Sequence, residues 1–363
     1  MERTRLIPAS TRADMVVPRC AASSRNRCIT VSSILRVVFI WKTISAILQY
    51  VNLWAVLSRT DNLFRPDRSL FKIWPAAWRG GRALAFAAGI AVAVGVDADD
   101  PEPAKYVFSA VDAPTNAAPA SLGGYAAGCL AGAVRLAETG PAWQAMRLSR
   151  NRNWGHPEMI AFIERLSRAG QAAGWPGLYV GDISHPRGGP MVSSHRSHQI
   201  GLDADIWLRP PGSLKLSVAE REKISSPSMV AANRLTVNGN WTGVHSEILE
   251  AAARDGAVAR IFVNAAIKRR LCKDGGEDDS EWLRKVRPWW GHDSHFHVRL
   301  HCPEAGACID QEAPPEGDGC DAELDWWFTD EALYPPPRDP EDIPPELMLA
   351  DLPAACQAVL DAE

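Results

Sequence analysis

The sequence predicts an α+β domain, and three observations carry that reading. The segment Pro157–Ala173 (PEMIAFIERLSRAGQAA) places apolar residues at helical spacing, with Pro in its first turn and Gly174 beyond its end. Four short runs alternate β-branched and aromatic residues with polar ones, at Gly177–Ser184, Gly201–Leu208, Ala259–Asn264 and His295–Leu300. Strands and helices follow one another without a regular βαβ repeat, which disfavours a doubly wound sheet. Further helices are expected at Ser246–Arg254, Ala265–Lys273 and Asp279–Val286, and no internal repeat is visible.

The 363 residues are 46% hydrophobic and 23% charged, which excludes a collagen-like, coiled-coil or wholly disordered chain. The net charge of -4 conceals an asymmetry: Met1–Arg82 holds 14 Lys/Arg against 4 Asp/Glu, and Pro303–Glu363 holds one Arg against 17 acidic residues. The two ends thus carry +10 and -16, and the middle is close to balance at +2. A balanced middle lacks the basic face expected of a nucleic-acid-binding core.

Taken in order, Val31–Leu57 is apolar but interrupted by Arg36 and Lys42, each costing about 2.5–3.5 kcal/mol near the centre of a membrane helix. A cleaner signal follows, where Arg79 and Arg82 precede the apolar Ala83–Val96, with Ala93-Val94-Gly95 or Val96-Asp97-Ala98 as a small-residue cleavage site. That is a secretory pattern set far into the chain. Residues 1–78 are therefore expected to be an N-terminal extension from an overextended gene start, the alternative being an inner-membrane anchor. Residues 79–98 read as the signal, 99–120 as a linker rich in Ala, Pro and Asp, and 121–363 as the folded domain. Within that domain, Ile309–Pro345 reads as a solvated acidic, Pro-rich wrap that Trp326, Trp327 and Phe328 tie to the body. Six cysteines lie beyond the signal: Cys129, Cys272, Cys302, Cys308, Cys320 and Cys356. Their even number suggests disulfides in an oxidising compartment, with fifteen pairings open.

Six of the nine histidines fall in two short segments, SSHRSHQIGLDADIWL (His195, His198) and WWGHDSHFHVRLHC (His292, His295, His297, His301). His198 and Asp205 form an H-x6-D pair in which a loop leads into a strand. His295 and His297 are two apart, so a strand places both imidazoles on one face. Two imidazoles and a carboxylate are a ligand set that catalytic zinc commonly uses, leaving a fourth position open. The fold expected is a small antiparallel sheet carrying this zinc site, flanked by helices and stapled by disulfides.

SHRSHQIGLDADIWL and RPWWGHDSHFHVRLHC resemble the two signature stretches of the penicillin-insensitive murein endopeptidases, in the group of zinc peptidases that includes lysostaphin, D-Ala-D-Ala peptidases and the hedgehog signalling domain. LSRNRNWGHPEMI, GDISHPRGGPM, RIFVNAAIKRRLC and WLRKVRPWW resemble further family stretches, so the likeness runs from Leu122 to Cys356. It implies that His198, Asp205 and His297 hold zinc. His195 matches another family histidine, either a metal contact or a neighbour of the ligands. His295 matches a catalytic position and His292 a histidine beside it. Asp203 either holds its loop or orients a ligand histidine. The resemblance also implies the pairs Cys129–Cys356, Cys272–Cys320 and Cys302–Cys308.

The expected activity is periplasmic hydrolysis of D-alanyl–meso-diaminopimelyl cross-links between murein stem peptides. No Glu lies between Trp289 and Leu300, so a histidine has to move the proton that a glutamate moves in many zinc peptidases. No serine nucleophile of the S-x-x-K type is needed, which would make the enzyme insensitive to β-lactams. The competing readings are a D,D- or L,D-carboxypeptidase and an inactive zinc-containing module that binds peptidoglycan. Trp154, Trp289 and Trp290 either line a peptide groove or pack in the core, and Arg187-Gly188-Gly189 is either a substrate contact or a plain turn.

Overall fold

The computed structural model describes residues 102–193, 195–275, 281–303 and 307–362, all within one compact unit, Ala93–Glu363. The N-terminal extension and the signal-like segment lie outside the described residues. Among the described residues no helix is long and apolar enough to cross a membrane.

The chain enters through a short helix α1 (Ala104–Ser109) and then forms β1 (Ala120–Gly124), β2 (Ala127–Ala131), β3 (Val134–Arg135), β4 (Trp143–Ala145) and β5 (Trp154–Gly155). Helix α2 (Pro157–Ala172) leads to β6 (Leu178–Val180) and β7 (Asp203–Trp207). After α3 (Val218–Lys223) and α4 (Gly243–Arg254) come β8 (Val258–Val263), α5 (Ala265–Asp274), β9 (Val286–Pro288), β10 (His295–Leu300) and β11 (Ala307–Cys308). The C-terminal region holds three short helices, α6 (Ala322–Asp325), α7 (Asp330–Leu333) and α8 (Ala355–Asp361).

Six strands form the main sheet in the order β4-β6-β7-β10-β8-β9. Its centre, β6-β7-β10-β8, is antiparallel, while β4 and β9 add parallel strands at the two edges. The antiparallel centre is the expected sheet, and β4 and β9 extend it by a parallel strand at each edge. At β9 the helix expected over Asp279–Val286 overlaps the strand at Val286 alone. The segment's polar–apolar sequence instead makes a 3-10 turn over Glu281–Lys285 and then pairs with β8, Ile261 opposite Val286. Pro288 closes this edge strand, where a missing N–H costs no ladder bond.

Strand alternation divides the sheet into a dry face and a chemical face. Ala204 and Ile206 of β7 and Phe296, Val298 and Leu300 of β10 are buried in the main core against α2 and α4. The intervening residues, Asp203, Asp205, Trp207, His295, His297 and Arg299, point the other way. Antiparallel register sets His297 opposite Asp205 and Arg299 opposite Asp203. Helix α2 lays Met159, Phe162, Ile163 and Leu166 on the dry face, each worth about 1.5–3 kcal/mol when fully buried. His156 caps its start, its Nδ1 accepting from the Glu158 N–H at 3.3 Å. His245, in the first turn of α4, accepts the Thr242 N–H at Nδ1 at 3.0 Å and donates from Nε2 to the Leu208 carbonyl at 2.8 Å. These histidines outside the two clusters are therefore structural.

A second, smaller sheet (β11-β1-β2) and a second core hold the termini of the domain. Ala104 and Phe108 of α1 pack with Cys129, Leu352, Cys356 and Val359, so part of the segment expected to be a linker is helical because Phe108 has somewhere to bury. Arg187 belongs to this arrangement and not to a substrate contact: its Nη1 donates to the Val359 and Leu360 carbonyls at 2.9 and 2.7 Å, at the last turn of α8. The following turn needs glycine. Gly188 and Gly189 have φ of +66° and +77°, and a Cβ on Gly189 would stand 2.1 Å from the Phe108 ring.

All three disulfides join the pairs that the family resemblance implied, Cys129–Cys356, Cys272–Cys320 and Cys302–Cys308. Between them the acidic wrap is held by the body's cations on its main-chain carbonyls. Lys268 Nζ donates to Asp318 O at 2.5 Å, Arg260 Nη2 to Glu312 O at 2.8 Å, and Arg284 Nη2 to Pro314 O at 2.7 Å. Cys129–Cys356 spans 227 residues and Cys302–Cys308 only 6. Replacing the first pair with Ala is expected to lower the unfolding free energy by about 2–5 kcal/mol, more than replacing the second, because the longer loop loses more entropy on closure. Urea unfolding of the two double variants compares them.

Candidate metal centre

Four elements bring the site together: the loop before β7, β7 itself, β10, and the turn after β6. His198 stands in the loop with φ of +68°, a left-handed backbone that histidine tolerates better than most residues. Two bonds hold it there. Its backbone N–H donates to Asp203 Oδ2 at 3.0 Å, and its Nδ1 lies 2.8 Å from the Ile183 carbonyl. A carbonyl can only accept, so Nδ1 carries the hydrogen and Nε2 is left with a bare lone pair. His297, on β10, is oriented by Asp203 in the same manner: Nε2 donates to Asp203 Oδ1 at 2.8 Å, leaving Nδ1 bare.

These two lone pairs meet Asp205. His198 Nε2 lies 3.4 Å and His297 Nδ1 3.6 Å from Asp205 Oδ1. Both His198 Nε2 and Asp205 Oδ1 are buried without a hydrogen-bond partner. Three electron-rich atoms facing one another in a buried place repel unless a cation or a proton lies among them. Ligands about 2.0–2.1 Å from a tetrahedral ion stand roughly 3.3–3.5 Å apart, close to the distances of His198 and His297 from Asp205, so these donors suit a small divalent cation. Without a metal a proton is favoured there: burial works against charging His198, but Asp205, followed by Asp203 and Asp182, pushes its pKa up to about 9. Burial, above all, brings the His297 imidazole down to about 4, which leaves its Nδ1 free to ligate.

Around this centre stand the other residues singled out from the sequence. His195, half-buried, sets Nε2 3.6 Å from Asp205 Oδ2 and 3.5 Å from Asp182 Oδ2. The ligand atoms of His195, His198 and Asp205 lie within 4.8 Å of one another. His195, His198 and Asp205 thus form one three-residue group, and His297 Nδ1 approaches the same Asp205 carboxylate from β10. His297 is better fixed than His195, because Asp203 sets its ring. His295 Nε2 comes to 3.6 Å from Asp205 Oδ1 while part of its ring meets solvent. His292 has φ of +48°, lies 2.9 Å through Nδ1 from the Trp290 carbonyl, and places its ring 5.0 Å from His295. Burial, then the charges of His295 and His297, hold its pKa down at about 4. His301 lies apart, paired with Asp310.

Asp182 was not legible as a site residue. It is buried at the turn after β6, where Arg150 Nη1 and Arg152 Nη1 approach its Oδ2 at 2.9 and 3.0 Å. Burial opposes its ionisation, yet His195 and the two arginines bring its pKa down to about 2. Asp203 and Asp205 also lie below the usual carboxylate range despite complete burial, the first through Arg299 and His297, the second through His295 and His198. The only sequence signal for Asp182 was its place in the GDISHP stretch.

One cavity is lined by residues of the centre and a second lies along the segment that leads into β10. The first, of about 220 Å³, is lined by Arg147, Arg150, Asp182, Asp205, Ser226 and His295, among others. The other, about 430 Å³, lies against Trp289, Trp290, Arg234, Asn264, Trp327 and Leu333. Ser294 and His295 line the first, Gly291 and Asp293 the second, so the segment leading into β10 has a cavity on either hand. Trp289 and Trp290 are thus groove residues; Trp154 lines neither cavity and donates to Asn151 Oδ1 at 2.8 Å.

Asp203→Asn tests the support. Arg299 Nε donates to Asp203 Oδ1 at 2.8 Å with its guanidinium 4.1 Å from the Tyr125 ring centre, so the variant strands a buried cation. A loss of about 3–5 kcal/mol in unfolding free energy is expected, accompanied by about 10–100-fold weaker divalent-metal binding in a chelator competition.

The domain that carries this centre also matches known proteins. The family model described as penicillin-insensitive murein endopeptidase matches residues 121–361. The chain is 42% identical over 250 residues to the penicillin-insensitive murein endopeptidase of Yersinia enterocolitica, covering 68% of this chain and 88% of that protein. It is 42% identical over 245 residues to the protein of that name from Haemophilus influenzae, covering 66% and 82%, and 41% identical over 243 residues to that of Klebsiella pneumoniae, covering 66% and 86%. With a match of that extent over the domain that carries the His/His/Asp centre, the chain belongs to the penicillin-insensitive murein endopeptidase family.

Proposed function

We propose that this chain is a periplasmic zinc endopeptidase that cuts D-alanyl–meso-diaminopimelyl cross-links between murein stem peptides, without sensitivity to β-lactams. Family membership supports the substrate class, and three disulfides support an oxidising compartment. The observation that carries the endopeptidase reading is that the segment Gly291–His295 has a cavity on either hand, the smaller one also lined by Asp205 and His195. A cross-link is a chain that continues in both directions from the bond to be cut. A carboxypeptidase needs room on one side only.

In this reading His198 Nε2, Asp205 and His297 Nδ1 hold zinc, and His195 is placed to touch the same ion. Zinc there supplies a Lewis acid for the scissile carbonyl and lowers the pKa of an attacking water toward about 7. Asp203 holds His297 in the tautomer that turns its lone pair inward and fixes the loop of His198, whose own tautomer the Ile183 carbonyl sets, and Asp182 holds His195. His295, beside Asp205 and lining the smaller cavity, takes the proton of the attacking water and delivers one to the leaving amine. His292, next to His295 and kept neutral by burial, steadies its ring and the developing charge. The half-exposed Trp289 and Trp290 give the extended peptide an apolar wall in the larger cavity.

The test uses the full chain produced in an oxidising compartment, incubated with cross-linked muropeptide dimers and followed by mass spectrometry. Conversion of dimers to monomers is expected, abolished by a chelator or by His198→Ala and restored to the wild type by zinc. His295→Ala is expected to keep its metal while kcat falls by about 10²–10⁴-fold. Release of terminal D-Ala alone would indicate a carboxypeptidase. Intact dimers beside a zinc-loaded protein would leave only the binding module.

A further inference from the structure

The smaller cavity contains two arginines whose charges are answered differently. Arg150 is paired with Asp182 at 2.9 Å, the same carboxylate that Arg152 reaches. Arg147 has no carboxylate partner among the described residues. Its Nη2 donates to Ser225 Oγ at 3.1 Å and its Nη1 to the Arg221 carbonyl at 3.4 Å, and its guanidinium carbon lies 5.7 Å from the Trp207 ring centre. Those contacts orient the fork and use only part of its five donors.

The backbone also directs Arg147 to this place. Met146 N–H donates to the Val180 carbonyl at 2.8 Å, extending the pairing of β4 with β6 up to the site end of the sheet. The next residue, Arg147, turns into the left-handed region with φ of +56° and ψ of +47°, an uncommon conformation for a residue with a Cβ. The result is a fixed cation with no carboxylate in direct contact among the described residues, lining a cavity that also contains His295, Asp182 and Asp205.

We infer that Arg147 is a specificity-determining residue that binds a free carboxylate of the substrate on the amine side of the bond to be cut. This rests on the murein reading above. In a D-alanyl–diaminopimelyl cross-link the leaving amine stands on a carbon that bears a free carboxylate, so the anion lies one carbon from the nitrogen to be protonated. A planar fork in the same cavity as the proton-carrying His295 suits that anion, because a guanidinium and a carboxylate bond in pairs. The cavity of about 220 Å³ is small, which matches a single carboxylate-bearing branch point better than a whole stem.

The experiment compares two muropeptide dimers that differ only in that diaminopimelyl carboxylate, free in one and amidated in the other. Wild-type full-length protein is expected to cleave the free form with about 10–100-fold higher kcat/KM, the range a charge-assisted hydrogen bond supports. Arg147→Gln should lose that preference to within about threefold, through a higher KM for the free form and little change for the amidated one. Arg147→Lys, which keeps the charge and loses the fork, should retain part of the preference. Metal content and thermal unfolding identify any variant that fails to fold, in which case the Lys variant and the wild-type ratio decide. Equal cleavage of the two dimers by the wild type, or an unchanged preference in folded Arg147→Gln, would overturn the inference and leave the endopeptidase reading standing. No cleavage of either dimer by zinc-loaded wild type would overturn the endopeptidase reading and this inference with it.

Discussion

Asp203 is a fully buried carboxylate on which three parts of the chain converge. It accepts from the His198 backbone N–H, from His297 Nε2 and from the Arg299 guanidinium. Each bond fixes something the centre needs. The first fixes the left-handed loop that carries one imidazole, and the second fixes the tautomer and rotation of the other. The third supplies the positive charge that keeps Asp203 ionised in a place where burial would otherwise neutralise it. Replace this one group and the loop, the strand pair and the buried arginine all lose their common partner.

The division of β7 and β10 into two faces follows from the period of two, and so does the chemistry. Every second residue of these strands goes into the dry core with α2 and α4, which secures register; a slip by one residue would drive Asp203, Asp205 and His297 into that core. Register in turn sets His297 against Asp205 and Arg299 against Asp203. The centre therefore inherits its geometry from hydrophobic burial on the opposite side of the sheet. What the polar face adds is a negative potential from Asp182, Asp203 and Asp205, the potential that raises His198 toward about 9. A site that attracts a proton so strongly at a position with bare lone pairs attracts a divalent cation for the same reason.

How much of this was legible depended on whether periodicity or topology carried the information. His295–Leu300 appears as a strand with its expected bounds, and Pro157–Ala172 ends one residue short of expectation, because their apolar spacing states which face is buried. His198, Asp205, His295 and His297 could be grouped from spacing alone for the same reason. By contrast β1 and β2 (ASLGG and AGCLA) contain no β-branched or aromatic residue and gave no strand signal; tertiary pairing and the Cys129–Cys356 bridge make them strands. Asp182 and Arg147 were missed because each is a lone charged residue at a strand end, and only the pairing of β4 with β6 and of β6 with β7 carries them to the centre. Arg187 could be read as a substrate contact or a plain turn, because its loop lies close to the histidines in sequence; its guanidinium serves α8.

The acidic wrap has a part in the site that its composition conceals. Trp290 Nε1 donates to the Ala332 carbonyl at 2.9 Å, and the Trp327 ring stands 4.6 Å from that of Trp290. Trp327, Ala332 and Leu333 thereby form one wall of the larger cavity. Had the wrap been held mainly by surface ion pairs, that wall would loosen with rising salt, since exposed charges are screened within about 10 Å at 0.1 M. Lys268, Arg260 and Arg284 instead take main-chain carbonyls, and Cys272–Cys320 closes the segment covalently. Directional bonds to the backbone hold a conformation where ion pairs between long side chains hold only proximity. They also leave most acidic side chains of the segment in water, where they cost nothing to keep charged. A strongly acidic strand of chain can in this way be built into a groove wall without competing for the arginines of the centre.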